Sequence, residues 1–191
     1  MQRSRTSTRR AEILAAAAAR FALRGYHGTS LEDIGAAAGM SGPGIYRHFP
    51  GKEALLAEML TDISERLLDE GSRRAVAATD PAAALDALLR WHIDFAMSQP
   101  DLITVQFREL ANLPDAARRR VRRLQRLYVE EWATVLSELS PDTPQATLRT
   151  AVHAVFGLLN STPHSASELP PEVTAELLYT MARAALGSAA A

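Results

Sequence analysis

The chain has 191 residues, no cysteine, 21 basic and 22 acidic side chains, and a formal net charge of −1. Without cysteine, disulfides, zinc–thiolate centres and thiol nucleophiles are excluded. With neither a leader pattern nor eighteen consecutive apolar residues, the sequence reads as a cytoplasmic protein that neither spans nor binds a membrane.

That charge is unevenly divided. Residues 1–52 hold eight basic side chains (Arg3, Arg5, Arg9, Arg10, Arg20, Arg24, Arg47 and Lys52) against Glu12, Glu32 and Asp33, a net of +5 that leaves −6 for the remainder. A basic head on an acidic body directs a polyanionic partner to the N-terminal end. Lys52 is the single lysine among those 21 basic residues.

Residues 1–8 read as a polar, basic tail, in which Arg3 and Arg5 are either solvated or reach into a minor groove. The first helix is expected from about Arg9 to Arg24, with Ile13, Leu14, Ala17, Phe21 and Leu23 as its apolar positions. Ser30 then stands as an N-cap, with Asp33 three residues on in a capping-box pattern. Leu31, Ile34 and Ala38 share the buried face of this second helix, and Gly39 ends it. Ser41 is placed to cap a third helix, about Gly42 to His48, whose first turn accepts Pro43 because no amide hydrogen is needed there. Cap, short helix, glycine turn, cap and short helix form the helix-turn-helix pattern of DNA readers.

The residues Gly25-Tyr26, Thr29-Ser30-Leu31, Asp33-Ile34, Ala37-Ala38-Gly39, Ser41, Gly44-Ile45-Tyr46, His48-Phe49 and Lys52-Glu53 resemble the DNA-binding region of the TetR family of bacterial transcriptional regulators. The likeness covers about the first sixty residues. Beyond them only length and all-helical character agree. The resemblance implies an all-α chain of about nine helices. A helix-turn-helix head would occupy residues 8–68, with the motif itself at about 31–50, and a ligand-binding and dimerisation body residues 69–191. It implies DNA contacts from Thr29, Ser30, Ser41, Gly42, Pro43, Gly44, Tyr46, Arg47, His48 and Lys52. Within that set, residues 42–44 would face base edges, while Thr29, Ser30, Tyr46, His48 and Lys52 would hold phosphates. Because residues 42–44 read Gly-Pro-Gly, direct base readout is thin there. Arg47 is the best long donor, and DNA shape is expected to matter.

After Phe49-Pro50-Gly51 a fourth helix is expected from Lys52 to about Glu70, with Leu56, Met59, Leu60, Ile63 and Leu67 inward, and a boundary at 71–80. Five further helices follow between prolines: to about Gln99 from Asp80-Pro81, to Asn112 from Pro100, to Leu139 from Pro114, to Ser161 from Pro141–Pro144, and to Leu186 from Pro170-Pro171. No stretch alternates as a strand, and Thr162 to Leu169 reads as a loop.

Arg118, Arg119, Arg122, Arg123 and Arg126 share one broad face of the long helix, with Arg120 off it. That face is either solvated or an anion site, such as one for the phosphates of a coenzyme A thioester. Trp91, His92, Phe95, Phe107, Tyr128, Trp132, His153 and Phe156 supply the large rings of the inner helices, as core or as the lining of a pocket for an apolar ligand. The last two helices carry stripes at Leu148, Val152, Val155 and Leu159, and at Val173, Leu177, Met181 and Ala184, with small residues at Ala154, Gly157 and Ser161. By resemblance they pair across a two-fold axis, which would space two heads on a palindromic operator.

The reading is therefore a ligand-responsive repressor: a homodimer on double-stranded DNA, released by a small apolar effector. A small helical enzyme and a helical interaction module are the alternatives. The histidines at 27, 48, 92, 153 and 164 are scattered, no metal pair or nucleophile elbow appears, and residues 39–44 fit neither dinucleotide nor Walker patterns. No catalytic residue, metal or cofactor is assigned.

Overall fold

The structure is a computed structural model describing residues 2–164 and 168–189, without the side chains of residues 2–7, 42, 43 and 189. Its described residues form nine α-helices and two 3-10 turns, with no strand among them. Helix α1 spans Gln2–Arg24, α2 Leu31–Ala37, α3 Gly42–Ile45, α4 Lys52–Val76 and α5 Pro81–Ser98; α6 is Pro100–Glu109, α7 Asp115–Leu139, α8 Gln145–Leu159 and α9 Pro171–Ala189. The 3-10 turns are Leu110–Asn112 and Thr162–His164, the second falling in the expected loop.

Local signals account for several of these boundaries. The capping box forms in both directions: Asp33 N–H donates to Ser30 Oγ and Ser30 N–H donates to Asp33 Oδ2, each at 3.0 Å. Helix α2 ends in a Schellman turn, with Gly39 N–H donating to Ala36 O (3.1 Å) and Met40 N–H to Gly35 O (2.8 Å). The turn needs Gly39 at φ +66°, which a residue without Cβ adopts freely. Asp80 caps α5 through a 2.8 Å bond from Ala83 N–H, ahead of the first-turn proline.

Other boundaries differ from expectation. Helix α1 begins at Gln2 rather than Arg9, since the segment holds neither glycine nor proline and its glutamine and arginines are good helix formers. The backbone at Arg3 and Arg5 is thus helical, and their expected groove contacts lie outside the described side chains. Helix α3 has only four residues, and Tyr46 to His48 continue as a turn. Two glycines in its first three residues cost about 1 kcal/mol each against alanine, and its bonds are short-range, such as Gly44 N–H to Ser41 O at 2.8 Å. Ser41 stands at the N-cap but makes no capping bond through its side chain.

Two compact units emerge. One comprises Met1–Ile63 with Asp101–Val121, the other Ser64–Pro100 with Arg122–Ala191. They depart from a linear division after residue 68, because α6 and the start of α7 pack with the head. Arg108 Nη1 donates to Ala22 O at 3.1 Å, and His27 Nε2 lies 2.9 Å from Asn112 Oδ1. Ile13, Phe21, Ile34, Ile45, Phe49, Leu56 and Leu60 form the first unit's core, each at most 1% exposed. In the second unit Leu88, Leu89, Trp132, Leu136, Val152 and Leu159 are equally buried.

Candidate nucleic-acid interface

The head's polar surface is built around the end of α1, the cap of α2 and the start of α4. His27, Thr29, Ser30, Glu32, Tyr46 and Lys52 line one open groove of about 550 Å³. Four of the expected phosphate contacts are thereby brought together.

These four residues differ in what they offer. Ser30 is exposed, and its backbone already belongs to the capping box. Thr29 is only 2% exposed, and its hydroxyl donates to Gly25 O at 2.9 Å with Arg20 O at 3.2 Å. That hydroxyl closes the end of α1, so Thr29 shapes the groove through its backbone. Lys52 Nζ donates to Tyr26 O (2.8 Å) and Thr29 O (3.1 Å) and sits 4.4 Å from the Tyr26 ring centroid. The ammonium ties the α1–α2 loop to the first turn of α4 and brings its charge to the groove.

Tyr46 is half exposed, and its hydroxyl donates to Glu32 Oε1 at 2.7 Å. The shared hydrogen bond holds the Glu32 carboxyl below its ordinary range and raises the Tyr46 phenol. An acidic group thus stands among the donors of the groove. Sequence reasoning did not single out Glu32, whose position two residues after the α2 cap gives no hint of a partner fourteen residues away.

Ser41, Gly44, Arg47 and His48 lie outside that groove lining. Arg47 is exposed, and Gly44 and His48 are half-buried. Gly42 and Pro43 begin α3, their side-chain positions outside the described set. A Cβ at Gly44 would come 3.2 Å from Ser41 Oγ, so glycine lets the turn close tightly.

Two arginines of the basic head hold the fold. Arg9 Nη1 donates to Ala38 O (3.2 Å) and pairs with Glu12 (2.6 Å). Arg10 forks onto the Glu58 carboxylate, donates from Nη1 to His48 O at 2.7 Å and lies 4.2 Å from the Phe49 ring centroid. Arg9 ties the end of α2 to α1, and Arg10 fixes the turn after α3 against α1 and α4. Neither was legible as a pairing in the sequence.

In the second unit five of the eight expected rings meet. His92 and Phe156 stack at 4.5 Å with planes 3° apart, Tyr128 lies near-parallel to both, Trp132 stands perpendicular to all three, and Phe95 meets His92 at 5.9 Å. His92 Nε2 donates to Asn160 Oδ1 at 3.1 Å, because an amide oxygen only accepts, which leaves Nδ1 to accept from the Tyr128 hydroxyl at 3.4 Å. Burial lowers the His92 pKa to about 4 and pushes the Tyr128 phenol up. Trp91 stands apart, half-buried beneath the Arg74 guanidinium at 4.9 Å. Phe107 and His153 are exposed, Phe107 at 85%, and neither joins the rings. Helical periodicity gave them a face but not a neighbour. Among the described residues no group of three His, Asp or Glu could hold a metal, and no helix is long and apolar enough to cross a membrane.

Comparison with known proteins adds an independent line. Residues 13–59 match the family described as bacterial regulatory proteins, tetR family, and residues 78–164 match the tetracyclin repressor-like C-terminal domain. The HTH-type transcriptional regulator LmrA of Bacillus subtilis is 38% identical over 82 residues. That match spans 42% of this chain and less than half, 44%, of LmrA. The regulator RutR of Escherichia coli is 31% identical over 183 residues, 91% of this chain and 81% of RutR. Among solved structures, a TetR-family regulator from Bordetella parapertussis superposes with a TM-score of 0.81 at 26% identity, over 91% of this chain and 93% of that one.

Proposed function

The chain belongs to the TetR family of bacterial regulatory proteins, a family of transcriptional regulators rather than enzymes, and from that premise we propose that it is a dimeric repressor released from its operator by a small, largely apolar effector. The observation that carries the DNA reading is the groove where Ser30, Tyr46 and Lys52 converge beside the α3 turn. Phosphates seated there set the register of the head and contribute little to sequence choice. Arg47, exposed beside α3, supplies the longest reach to a base edge.

Dimerisation through α8 and α9 is supported by what the folded chain leaves uncovered. Leu148, Val152, Val155 and Leu159 are buried within the chain at 1% exposure or less, so the α8 stripe belongs to the intramolecular core. Val173, Leu177 and Met181, at 47–49% exposure, form a separate stripe on α9 at four-residue spacing. Exposed Ala154 and Gly157 on α8 offer a small-residue face for close helix approach.

The effector acts by binding one conformation of the dimer better than the other, and only that difference in affinity releases DNA. Coenzyme A thioesters head the list to screen, since Arg122, Arg123 and Arg126 present exposed guanidinium groups to a phosphate. The test of the whole reading is selection of duplexes from a random library at near-physiological salt. An inverted repeat should emerge, with affinity that falls steeply as salt rises. Failure to bind any duplex at low salt would sink the repressor reading.

A further inference from the structure

The ring cluster of the second unit contains more polar groups than a core requires. His92, Tyr128 and Trp132 are 2%, 4% and 0% exposed, yet each carries a polar atom into the packing. The Trp132 indole Nε1 is fully buried and faces the Tyr128 hydroxyl oxygen, but the contact falls short of a well-aligned hydrogen bond. A buried donor without an acceptor is a standing cost that an apolar ring of similar shape would avoid. Asn160 gives its amide oxygen to His92, so its NH2 group remains a donor at the rim of the same cluster.

Phe156 differs from the rings it covers. It is half-buried where His92, Tyr128, Trp132 and Phe95 are buried. Its ring lies 4.5 Å from His92, 5.4 Å from Tyr128 and 5.1 Å from Trp132, while His92 and Tyr128 are themselves 5.9 Å apart, so it caps a concave face made of two near-parallel rings and one perpendicular ring. A phenyl group has no polar atom to offer the donors around it.

We propose that Phe156 is the resident occupant of an aromatic slot, displaced by an effector with a planar ring and a carbonyl oxygen, which stacks on His92 and accepts hydrogen bonds from Trp132 Nε1 and the Asn160 amide. The assignment rests on the effector-responsive reading above and names the chemistry of that effector. An aryl carbonyl occurs in free acids, amides and thioesters alike. The shared feature is the ring with its acceptor. Because Phe156 belongs to α8, its displacement alters the helix whose outer face is offered to the partner subunit.

Calorimetric titration of the full chain with benzamide, benzoate and toluene tests the proposal. Phe156→Ala, which vacates the slot, should bind benzamide or benzoate about tenfold more tightly than the unmodified chain does, and prefer that probe to toluene by a similar factor. Whichever of the two binds reveals whether the slot takes a neutral or an anionic carbonyl. Adding Trp132→Phe should cost the carbonyl probe about tenfold and leave toluene unchanged. Equal affinity for toluene, indifference to Trp132→Phe, or no binding by the folded variant each overturns the proposal. Should Phe156→Ala fail to fold, Phe156→Leu opens a smaller slot and is judged by the same comparisons. Duplex binding by the same preparations separates the two levels. Retained DNA binding without probe binding removes the aryl-carbonyl slot alone, whereas an unmodified chain that selects no duplex removes the regulator reading.

Discussion

Arg10 grips Glu58 from forty-eight residues away, Nε and Nη2 each donating to one carboxylate oxygen while Nη1 reaches the His48 carbonyl at 2.7 Å. Three segments, α1, the reading turn and α4, are joined by one side chain. The pair is only partly screened, with side-chain exposures of 39% and 26%, and hydrogen bonding to Glu58 raises the Arg10 pKa further. Arg10→Ala should cost about 1–3 kcal/mol in thermal unfolding and weaken duplex binding through the displaced turn. Arg10→Lys restores the charge without the fork and should recover only part of both losses. Full recovery by lysine would show that charge alone suffices.

Lys52 holds two backbone carbonyls of the α1–α2 loop, a structural role distinct from the phosphate contact proposed for it. Lys52→Gln separates the roles, since glutamine can donate to a carbonyl but carries no charge. Duplex affinity should fall, and the slope of log affinity against log salt should become shallower by about 0.9 for each head that loses a phosphate contact. An unchanged slope would mean that Lys52 neutralises no phosphate.

Glu32 lines the groove proposed to seat a phosphate and accepts a hydrogen bond from the Tyr46 hydroxyl at 2.7 Å. Glu32→Gln removes the like charge and should tighten duplex binding by about two- to fivefold at low salt, with the gain vanishing at high salt. Tyr46→Phe leaves the carboxylate unmatched and should weaken binding. In the double variant much of that loss should return, which a titration of all four proteins would read as coupling between the two sites. Strictly additive effects would mean that the pair does not act as a unit on DNA.

What the sequence revealed and what it concealed separate by range. Ser30 with Asp33, Gly39 and Asp80-Pro81 act on neighbours three to five residues away, and each marked its helix end. The end of the fourth helix is set at longer range. Expected near Glu70, it lies at Val76, with Gly71 inside the helix. Glycine stands there because a Cβ would come 2.7 Å from Tyr128 Cε2, a constraint set by a helix more than fifty residues on. The site divides in the same way. The residues of the groove could be named from their motif, but the burial of the Thr29 hydroxyl and the pairing of Tyr46 with Glu32 exist only once separate segments meet. Phe107 and Phe156 are indistinguishable as aromatic residues of helices. Folding exposes one and stacks the other on His92.

His92 links this packing to pH. Burial is the larger influence on it and lowers its pKa to about 4, against the hydrogen bond to Asn160, which raises it. The ordinary value is 6.5, so as pH falls below that point the unfolded chain takes up a proton that the folded chain refuses until about 4. Between those limits the unfolded state binds more protons, and stability must fall with falling pH, by about 1.4 kcal/mol per pH unit at the steepest. His92→Phe keeps a ring beside Phe156 but cannot titrate. Its stability at pH 7 should drop, because Asn160 and Tyr128 lose their partner. The further loss between pH 6.5 and 4.5 should nevertheless be smaller than in the unmodified chain. Urea unfolding of both proteins across that range is the measurement, and parallel pH profiles would assign the acid sensitivity to other groups.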